Sequence, residues 1–311
     1  MLPYNSDWAG TVAASPIHAA WLGEDWETDA EQTKVGAGGM VADWIIVDHY
    51  ALDARWELAL ASNYRMLMVI DDLADRSHSC DLLLDQTFGR DAQDYSHLVP
   101  ADCQVLCGSQ YALLRPEFTA LRSYSLKRRA SPALRELLIT MGGVDKDNAT
   151  GQVLEVLRSC PLPADCRITV IMGGTAPWLD EVRKQAHDMP CQTQVLVGIR
   201  DMAQLMADSD LAIGAAGATS WERCCLGVPT IMLVLAENQR KIAEVLSEAG
   251  AVRLVDASKL KSQSLIAPEY LEPLSLCSVS HAAAAITDGF GTARVTQVLI
   301  NKVVHANQLA V

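Results

Sequence analysis

The sequence predicts a doubly wound α/β protein made of two domains, and three observations support this prediction. From residue 41 onward, short apolar runs of strand type alternate with amphipathic stretches of helix length. Most of these apolar runs are continuous rather than alternating, which is typical of parallel strands covered by helices on both faces. The chain has 311 residues. This exceeds the usual size of one hydrophobic core, so two domains of roughly 130–180 residues are expected.

Three or four strands and one helix are predicted in the first half. The strand-like runs lie at residues 43–47, 66–70, 81–85 and 105–107. Between the first two runs, Leu52, Trp56 and Leu60 recur at helical spacing, which predicts a helix over residues 52–61. Residues 1–40 show no strand pattern. A domain with so few strands is small for its class, so either the amino-terminal part is degenerate or the chain begins inside a domain.

The domain boundary is predicted at residues 123–132, a basic and polar segment that ends in proline. It divides the chain into a domain of residues 1–130 and a domain of residues 131–311. In the second domain, strands are predicted at residues 137–141, 167–172, 194–197, 211–213, 230–235 and 252–255. Helices are predicted at residues 148–158, 178–187, 202–207, 220–226, 239–249 and 291–304. The last of these helices is a candidate for packing back on the first domain.

The composition argues against several classes of function. A formal net charge of −13 disfavours nonspecific binding of nucleic acid or of an anionic membrane, since both need a basic face. No apolar run approaches the ~18 residues of a membrane span. The nine cysteines form no CxxC pair and no cluster with histidine, so we expect reduced thiols in a cytoplasmic protein without a bound metal. Neither GxGxxG nor GxxxxGKS/T occurs, which disfavours dinucleotide-dependent oxidoreductases and P-loop NTPases.

The most informative segment is residues 210–229, DLAIGAAGATSWERCCLGVP. An apolar strand leads into a turn of small residues, and a helix is predicted to start at Thr219 or Ser220. Small residues let backbone amides approach a phosphate, and a helix amino terminus adds partial positive charge, so the turn suits a pyrophosphate. Glu222, on the first helical turn, could accept hydrogen bonds from both hydroxyls of a ribose. The segment is also typical of a tight βα turn with a capping residue and a dipole-matched glutamate.

Polar or glycine-rich turns follow other predicted strands as well. Gly142 and Gly143 open a turn that ends at Asn148, and a similar glycine pair stands at residues 173–174. Because ligands bind at the carboxyl ends of parallel strands, these turns are expected to line one site. Further strand-end candidates are Asp48, His49, Tyr50 and Asp72 in the first half, and Asn238 and Gln239 in the second. Glycine-rich loops and capping residues at such positions are also common without a ligand role.

Five segments, taken in order, resemble a known family. They are residues 47–57 (VDHYALDARWE), 69–86 (VIDDLADRSHSCDLLLDQ), 139–148 (ITMGGVDKDN), 210–229 and 236–239 (AENQ). The family is that of the UDP-2,4-diacetamido-2,4,6-trideoxy-β-L-altropyranose hydrolases of the pseudaminic acid pathway, relatives of the GT-B glycosyltransferases. The similarity covers most of residues 40–305.

The resemblance implies a fold and an activity. Two Rossmann-like domains of the GT-B type would face a cleft, and the carboxy-terminal domain would hold the UDP of a UDP-sugar. Water would attack the anomeric carbon, break its bond to UDP and invert the centre, without a metal or another cofactor. The free sugar would serve the biosynthesis of pseudaminic acid, a nonulosonic acid. A monomer is the expected state.

The same resemblance implies the roles of individual residues. The diphosphate would be bound by Gly214, Gly217, Ala218, Thr219 and Ser220. The remaining positions that bind UDP or substrate would be Gly142, Gly143, Ile199, Glu222 and Gln239. Within this set, Glu222 would bind the ribose and the backbone near Ile199 would bind the uracil. Tyr50 and Asn238 would face the sugar as catalytic residues.

The sequence departs from the family in one respect. The family opens with a G-x-G-H-x-x-R-C loop whose histidine is the candidate base for the attacking water, and no Gly-His pair occurs in this sequence. The chain is therefore expected to lack the family's first strands and to hydrolyse weakly, because general acid–base catalysis contributes ~10²–10⁴-fold. Two alternatives stay open: a GT-B glycosyltransferase that passes the sugar to an acceptor, and a noncatalytic protein that binds a UDP-sugar.

Overall fold

The computed structural model describes residues 15–257 and 272–309. These residues form two compact units. The first combines the described parts of Met1–Leu113 and Gly291–Val311, and the second is the described part of Leu114–Phe290. Each unit contains one parallel β-sheet flanked by helices, so the predicted α/β class is confirmed. None of the helices in the described residues has the length and apolar character that a membrane span requires.

The helices and strands are numbered along the chain. The strands are β1 (Ala42–Val47), β2 (Tyr64–Ile70), β3 (Leu82–Asp85), β4 (Gln104–Cys107), β5 (Glu136–Thr140), β6 (Arg167–Met172), β7 (Thr193–Val197), β8 (Leu211–Ala215), β9 (Thr230–Val234) and β10 (Arg253–Asp256). The helices are α1 (Trp26–Ala37), α2 (Ala54–Ala59), α3 (Pro116–Arg128), α4 (Ala149–Leu157), α5 (Leu179–His187), α6 (Met202–Asp208), α7 (Thr219–Cys225), α8 (Arg240–Glu248), α9 (Pro273–Ile286) and α10 (Gly291–Leu309).

In the first unit, four parallel strands lie in the order β1-β2-β3-β4. Successive side chains of a strand point to opposite faces, and β2 and β3 bury both sets. One face includes Leu67, Val69 and Leu83, which join a core cluster with Trp56 of α2. The other face includes Met68, Leu82 and Leu84, which join a cluster with Val295 of α10. Burial on both faces explains why these strands read as continuous apolar runs.

In the second unit, six parallel strands lie in the order β7-β6-β5-β8-β9-β10. The chain starts at β5, builds outward to β7, and then crosses back to place β8 against the free side of β5. The strand order therefore reverses direction between β5 and β8. In open α/β sheets, ligands bind outside the carboxyl ends of the strands at such a switch point.

Helix α3 occupies the segment whose composition predicted a linker. Its polar residues make buried contacts within the second unit instead of facing solvent. The buried Ser125 hydroxyl donates to the carbonyl of Leu226 at 2.6 Å. Arg129, which follows the helix and is also buried, donates to carbonyls at the end of α6. Composition alone could not distinguish these side chains from those of a linker, and the extent of each independently folding domain stays a prediction.

Candidate functional site

Two loops leave the sheet side by side at the switch point of the second unit. Thr140, the last residue of β5, is paired in register with Gly214 of β8. Neighbouring strands lie about 4.8 Å apart, so the loop that starts at Met141 and the loop that continues from Ala215 begin next to each other. The turns predicted to share one edge of the sheet do so.

The loop after β5 presents bare backbone. Gly142 and Gly143 are exposed, and Gly142 has φ +91°, in the left-handed region that favours glycine. This loop also packs against the turn that follows β6, because a methyl group on Gly173 would lie 2.0 Å from the carbonyl oxygen of Gly143. Glycine is therefore required at position 173 by close approach of two backbones.

The first turn of α4 is already occupied by side chains of its own loop. The Asp145 carboxylate accepts from the amides of Ala149 at 2.8 Å and Thr150 at 3.0 Å. The Asn148 side chain accepts from the amide of Gly151 at 3.0 Å and thereby caps the helix. These amides are not available to a phosphate, so an anion at this loop would have to use the backbone of the exposed glycines. A ligand role for Asn148 stays a prediction.

The loop after β8 is held by two internal hydrogen bonds. The amide of Gly217 donates to the Ser220 hydroxyl at 3.2 Å, and the amide of Ser220 donates to the carbonyl of Gly217 at 2.8 Å. Ala218 is exposed and Thr219 half-buried, and within the described residues their amides donate to no backbone carbonyl. These two amides are consequently the ones that this loop leaves for a ligand.

Helix α7 starts directly after this loop but has seven residues. A helix of two turns contributes only a small macrodipole, because the effect grows with the number of aligned peptides. The expectation that a helix terminus supplies the positive charge therefore has weak physical support. The nearest formal cation is Arg223, which is fully buried behind the loop and donates to the carbonyl of Ala215 at 2.8 Å.

Glu222 is half-buried on the same short helix. Burial raises the pKa of its carboxyl above the usual value, and the positive charges of Arg115 and Arg223 oppose this shift. The side chain has no hydrogen-bond donor assigned to it in the described structure. A partly desolvated carboxylate without a donor is well suited to accept hydroxyl groups of a ligand such as a ribose.

Three further predicted residues lie at other strand ends of the second unit. Ile199 is half-buried and follows β7, two strands away from β5. Gln239 lies in a short 3-10 helix after β9, where its side-chain oxygen accepts from the amide of Leu235 at 3.0 Å. Asn238 belongs to the same turn, and its side chain lies outside the described part of the structure. Their ligand roles stay predictions.

The carboxyl edge of the first sheet is a network of charged groups. Asp71, after β2, forms an ion pair with Arg76 at 2.7 Å. Asp85, at the end of β3, forms an ion pair with Arg90 at 2.6 Å. The Tyr95 hydroxyl lies 3.0 Å from the carboxylate of Asp71 and 2.9 Å from that of Asp85, so it bridges the two. Both carboxylates are thereby neutralised inside the protein.

Asp72 differs from its two neighbours. Within the described residues its carboxylate forms no ion pair with an arginine, whereas those of Asp71 and Asp85 do. Its Oδ1 atom is buried without a hydrogen-bond partner, as is Oδ1 of Asp71, and the Tyr50 hydroxyl is its hydrogen-bond donor. Burial raises the pKa of Asp72 above its usual range; the hydrogen bond from Tyr50 and the positive charge of Arg90 oppose the shift, and the nearby charges of Asp71 and Asp85 add to it.

Tyr50 is half-buried between this carboxylate and a small aromatic group. Burial, together with the negative charge of Asp72, raises the pKa of the Tyr50 hydroxyl, which therefore stays protonated at neutral pH. Its ring centroid lies 5.6 Å from that of His18 and 6.0 Å from that of Trp21. Trp21 is 60% exposed, so an accessible aromatic surface adjoins the Asp72–Tyr50 pair.

The other two candidates in this region make few contacts. His49 is half-buried, and its Nδ1 atom accepts from the amide of Ala51 at 3.1 Å, which stabilises the turn after β1. Asp48 is exposed. Among the described residues, no group of three or more His, Cys, Asp or Glu side chains is arranged to hold a metal ion.

Sequence reasoning missed two parts of this arrangement. Arg223 lies between Glu222 and Cys224 in helix α7, a position that a solvent-exposed ion pair could equally well occupy, so the sequence does not mark this charge as buried. The contact of Trp21 with Tyr50 depends on residues before β1, where no strand or helix pattern is visible. No sequence signal connects positions 21 and 50.

The second unit resembles a known domain family. Residues 137–284 match the Glycosyltransferase family 28 C-terminal domain. This match contains both glycine loops of the switch point, Ile199, Glu222 and the turn after β9. The similarity therefore falls on the part of the chain that carries the candidate phosphate loops.

Two curated proteins are similar to the chain over about two thirds of its length. The spore coat polysaccharide biosynthesis protein SpsG of Bacillus subtilis is 31% identical over 209 residues, which is 65% of this chain and 59% of that protein. The UDP-2,4-diacetamido-2,4,6-trideoxy-β-L-altropyranose hydrolase of Campylobacter jejuni is 27% identical over 208 residues, which is 66% of this chain and 71% of that enzyme. The chain thus spans less than two thirds of the spore coat protein.

Among solved structures, MurG of Acinetobacter baumannii is similar in fold. The two share a TM-score of 0.59 at 16% sequence identity, over 89% of this chain and 76% of MurG. The chain accordingly has the α/β fold of the GT-B class, with two parallel-sheet units.

Proposed function

We propose that this chain is an enzyme that binds a UDP-sugar. The observation that carries the proposal is the pair of adjacent glycine loops at the β5–β8 switch point, within the region that matches the Glycosyltransferase family 28 C-terminal domain. The backbone amides of Gly142, Gly143, Ala218 and Thr219 suit the oxygens of a diphosphate. Glu222 suits the ribose, since its carboxylate has no assigned donor.

We further propose that the enzyme hydrolyses its substrate to free sugar and UDP. The similarity to the Campylobacter hydrolase and the Asp72–Tyr50 pair support this choice. Water that attacks an anomeric carbon must lose a proton, and a carboxylate with a raised pKa is a suitable acceptor. Asp72 takes this role in the proposal, in place of the histidine of the family. Tyr50 orients the carboxylate, and Asn238 contacts the sugar.

The departing UDP needs stabilisation more than it needs a proton. Negative charge that develops on the leaving oxygen would be met by preorganised amides of the two glycine loops. The substrate of the Campylobacter relative, a UDP-linked 2,4-diacetamido-2,4,6-trideoxyhexose, is the sugar nucleotide that we propose for this chain.

The proposal is tested by incubating the full chain with that sugar nucleotide in buffer alone. Release of UDP and free sugar at equal rates supports hydrolysis. NMR of the first product formed reports whether the anomeric centre is inverted. Absence of release, in a protein that calorimetry shows to bind UDP, would contradict the hydrolase and favour a UDP-sugar-binding protein. Absence of both release and UDP binding would contradict the proposal as a whole.

The second candidate function is a glycosyltransferase. It is favoured by the domain match itself, because the matched family is one of glycosyltransferases. The two enzymes differ in their need for an acceptor. A transferase would release UDP slowly in water and faster when a cell-envelope lipid fraction is added, with the sugar recovered on that fraction. UDP release that no acceptor accelerates would exclude this alternative.

A cytoplasmic location is part of the proposal. All nine cysteines lie in the described residues, and no disulfide joins any two of them, which suits a reducing compartment. Cys80 and Cys103 are the sharpest test, since their sulfur atoms are 3.6 Å apart without a bond. Recovery of these two cysteines as thiols from cells that have been rapidly quenched with an alkylating agent would agree with this location, and recovery as a disulfide would contradict it.

A further inference from the structure

We infer that Arg223 is the fixed positive charge of the diphosphate site and acts on the ligand through the loop after β8. The inference deepens the proposed function and rests on it. Arg223 does not touch solvent, so it is a positioning residue and not a ligand-contacting one. Its guanidinium lies behind the backbone that would face the phosphates.

The side chain of Arg223 is hydrogen-bonded to residues on both sides of the loop after β8. The Nη2 atom of Arg223 donates to the carbonyl of Ala215 at 2.8 Å and to the hydroxyl of Ser220 at 3.3 Å. The Ser220 hydroxyl also accepts from the amide of Gly217. Ala215 begins the loop and Ser220 ends it, so a single guanidinium fixes the span between them.

The guanidinium also reaches the base of the loop. A methyl group placed on Gly214 would lie 2.3 Å from Nη1 of Arg223 and 2.9 Å from the carbonyl oxygen of Thr140. Gly214 is thus required because the arginine occupies the space next to its Cα atom. The positive charge is held against the backbone at the point where β5 and β8 meet.

Arg223 forms no ion pair with a carboxylate among the described residues, although the negative charge of Glu222 acts on it. Arg223 is 1% exposed, and its Nε and Nη1 atoms have no hydrogen-bond partner among the described residues. Burial lowers the pKa of Arg223 to about 10, which still leaves it charged at neutral pH. A buried cation without a carboxylate partner is unfavourable for folding, and an anion bound on the other side of the loop would offset this.

A second buried arginine in the same unit shows the contrast. Arg129 is 5% exposed, and it donates to the carbonyls of Ser125, Met206, Ala207 and Ser209. Those acceptors satisfy most of its donors and connect α3 to the end of α6. The Nε atom of Arg129 has no partner either, but both of its terminal nitrogens donate, whereas Nη1 of Arg223 has no acceptor. Arg129 therefore has a structural explanation within the fold, and the fold accounts for Arg223 only in part.

The test compares UDP with uridine, which lacks the phosphates. Calorimetry on the full chain gives the ratio of the two affinities for wild type, Arg223→Met and Arg223→Lys. We expect Arg223→Met to reduce the ratio of UDP to uridine affinity by roughly 10- to 100-fold, because it weakens the binding of UDP and leaves that of uridine nearly unchanged. Arg223→Lys should restore part of the ratio, since it keeps the charge but not the two-point attachment. The salt dependence of UDP binding should be weakest in the Met variant.

Stability measurements separate this role from simple packing. Arg223→Met removes an unpaired buried charge, so the melting temperature of the unliganded variant should equal or exceed that of wild type, while UDP should raise it by less. Arg129→Met, the matched control, should lower the melting temperature and leave the ratio of UDP to uridine affinity unchanged. If Arg223→Met does not fold, Arg223→Lys and Arg129→Lys are compared in the same way.

The outcomes distinguish two failures. A wild-type chain that binds UDP no more tightly than uridine would overturn the proposed diphosphate site itself. A wild-type chain that prefers UDP, with the same preference in Arg223→Met, would overturn the role of Arg223 alone. A preference that falls equally in Arg223→Met and Arg129→Met would also overturn it, because the effect would then follow from loss of a buried arginine in general.

Discussion

The two sheets present different chemistry at their carboxyl edges. In the second unit the edge is made of glycine and alanine backbone, with one buried and unpaired cation behind it. In the first unit the edge is made of charged side chains, and the buried carboxylates of Asp71 and Asp85 are paired with arginine, whereas that of Asp72 is not. An edge of bare amides suits an anion, which needs donors and no competing side chains. An edge that leaves one carboxylate unpaired suits proton transfer.

Each edge also contains a buried charged group without an ion-pair partner, and burial of such a group is unfavourable for folding. In the second unit the unpaired group is the cation Arg223, and in the first it is the anion Asp72. Strained or unsatisfied groups persist where the surrounding structure supports them, and they cluster at functional sites. Substitutions at these two positions should therefore impair function without reducing stability, which is the reverse of what most buried polar residues do.

The largest effect is expected for Asp72→Asn. The substitution keeps the shape of the side chain but removes a proton acceptor, so the rate of UDP release should fall by ~10²–10⁴-fold. UDP affinity should not change, since UDP is assigned to the second unit. A coupled assay for UDP gives the rate, and calorimetry gives the affinity. Asp48→Asn, at an exposed carboxylate of the same region, is the matched comparison and should retain most of the activity.

Full activity of Asp72→Asn would contradict the assignment of proton transfer to Asp72. If Asp72→Asn lowered both the affinity for UDP and the rate of UDP release, the two edges would not act separately, and the contrast between them would not hold.

The second effect is expected for Glu222→Ala. If Glu222 accepts hydroxyls of the ribose, the affinity for UDP and the affinity for uridine should fall by the same factor, about 10-fold or more. This result would contrast with Arg223→Met, which should affect UDP alone. Calorimetry with both ligands measures the two factors. Unchanged uridine affinity would remove the ribose role from Glu222.

The pH dependence of uridine binding is a second test of the ribose role of Glu222. Burial raises the pKa of Glu222 above 4.5 in the free protein, and hydroxyl donors favour its ionised form. Uridine affinity should therefore be constant well above this pKa and should fall as the pH drops through it. Uridine is preferred to UDP here, because a terminal phosphate itself titrates near pH ~6. Glu222→Gln should abolish the pH dependence; its persistence would assign the titration to another group.

A smaller effect concerns the close packing of the loop after β8. Gly214→Ala would bring a methyl group onto Arg223 and the carbonyl of Thr140, so the free energy of unfolding should fall by about 1–3 kcal/mol. Gly143→Ala is the control, since a methyl group there meets no atom within 4 Å, and its stability should match wild type. Urea denaturation measures both. Equal stability of the two variants would show that Arg223 is free to move away from Gly214.

The sequence predicted the strands better than the helices. Each predicted strand is present, and the signal is clearest for β2 and β3, whose side chains are buried on both faces of the sheet. Helix α3 was missed because its second half lies in the basic, polar segment predicted as the domain boundary, where the donors of Ser125 and Arg129 are satisfied inside the fold by partners distant in sequence. Helix α9 was missed because its small and apolar residues lack helical periodicity, and α1 because its residues are mostly polar, with Ala30 fully buried.

Prediction of the candidate site had a similar limit. The glycine loops and the strand-end polar residues are local signals, and the sheet order that joins them follows from the fold class. Which carboxylate remains unpaired is not a local property. Asp71 and Asp72 are adjacent in sequence, and the difference between them arises because Arg76 reaches one and not the other.

The smallest effect expected is on stability, and it tests the unpaired state of Asp72 without reference to catalysis. Its pKa in the folded protein lies above the ordinary value of 3.8, so the folded state binds more protons than the unfolded state between these two values. Wild-type stability should therefore fall as the pH rises through this window and then stay level.

Asp72→Asn lacks this titration. Its melting temperature relative to wild type should rise across the same window and remain higher at neutral pH, as calorimetric scans at several pH values would show. A difference that is constant with pH, or of opposite sign, would mean that the favourable partners of the ionised Asp72 carboxylate match or outweigh the cost of its burial, and the contrast with Asp71 and Asp85 would not hold.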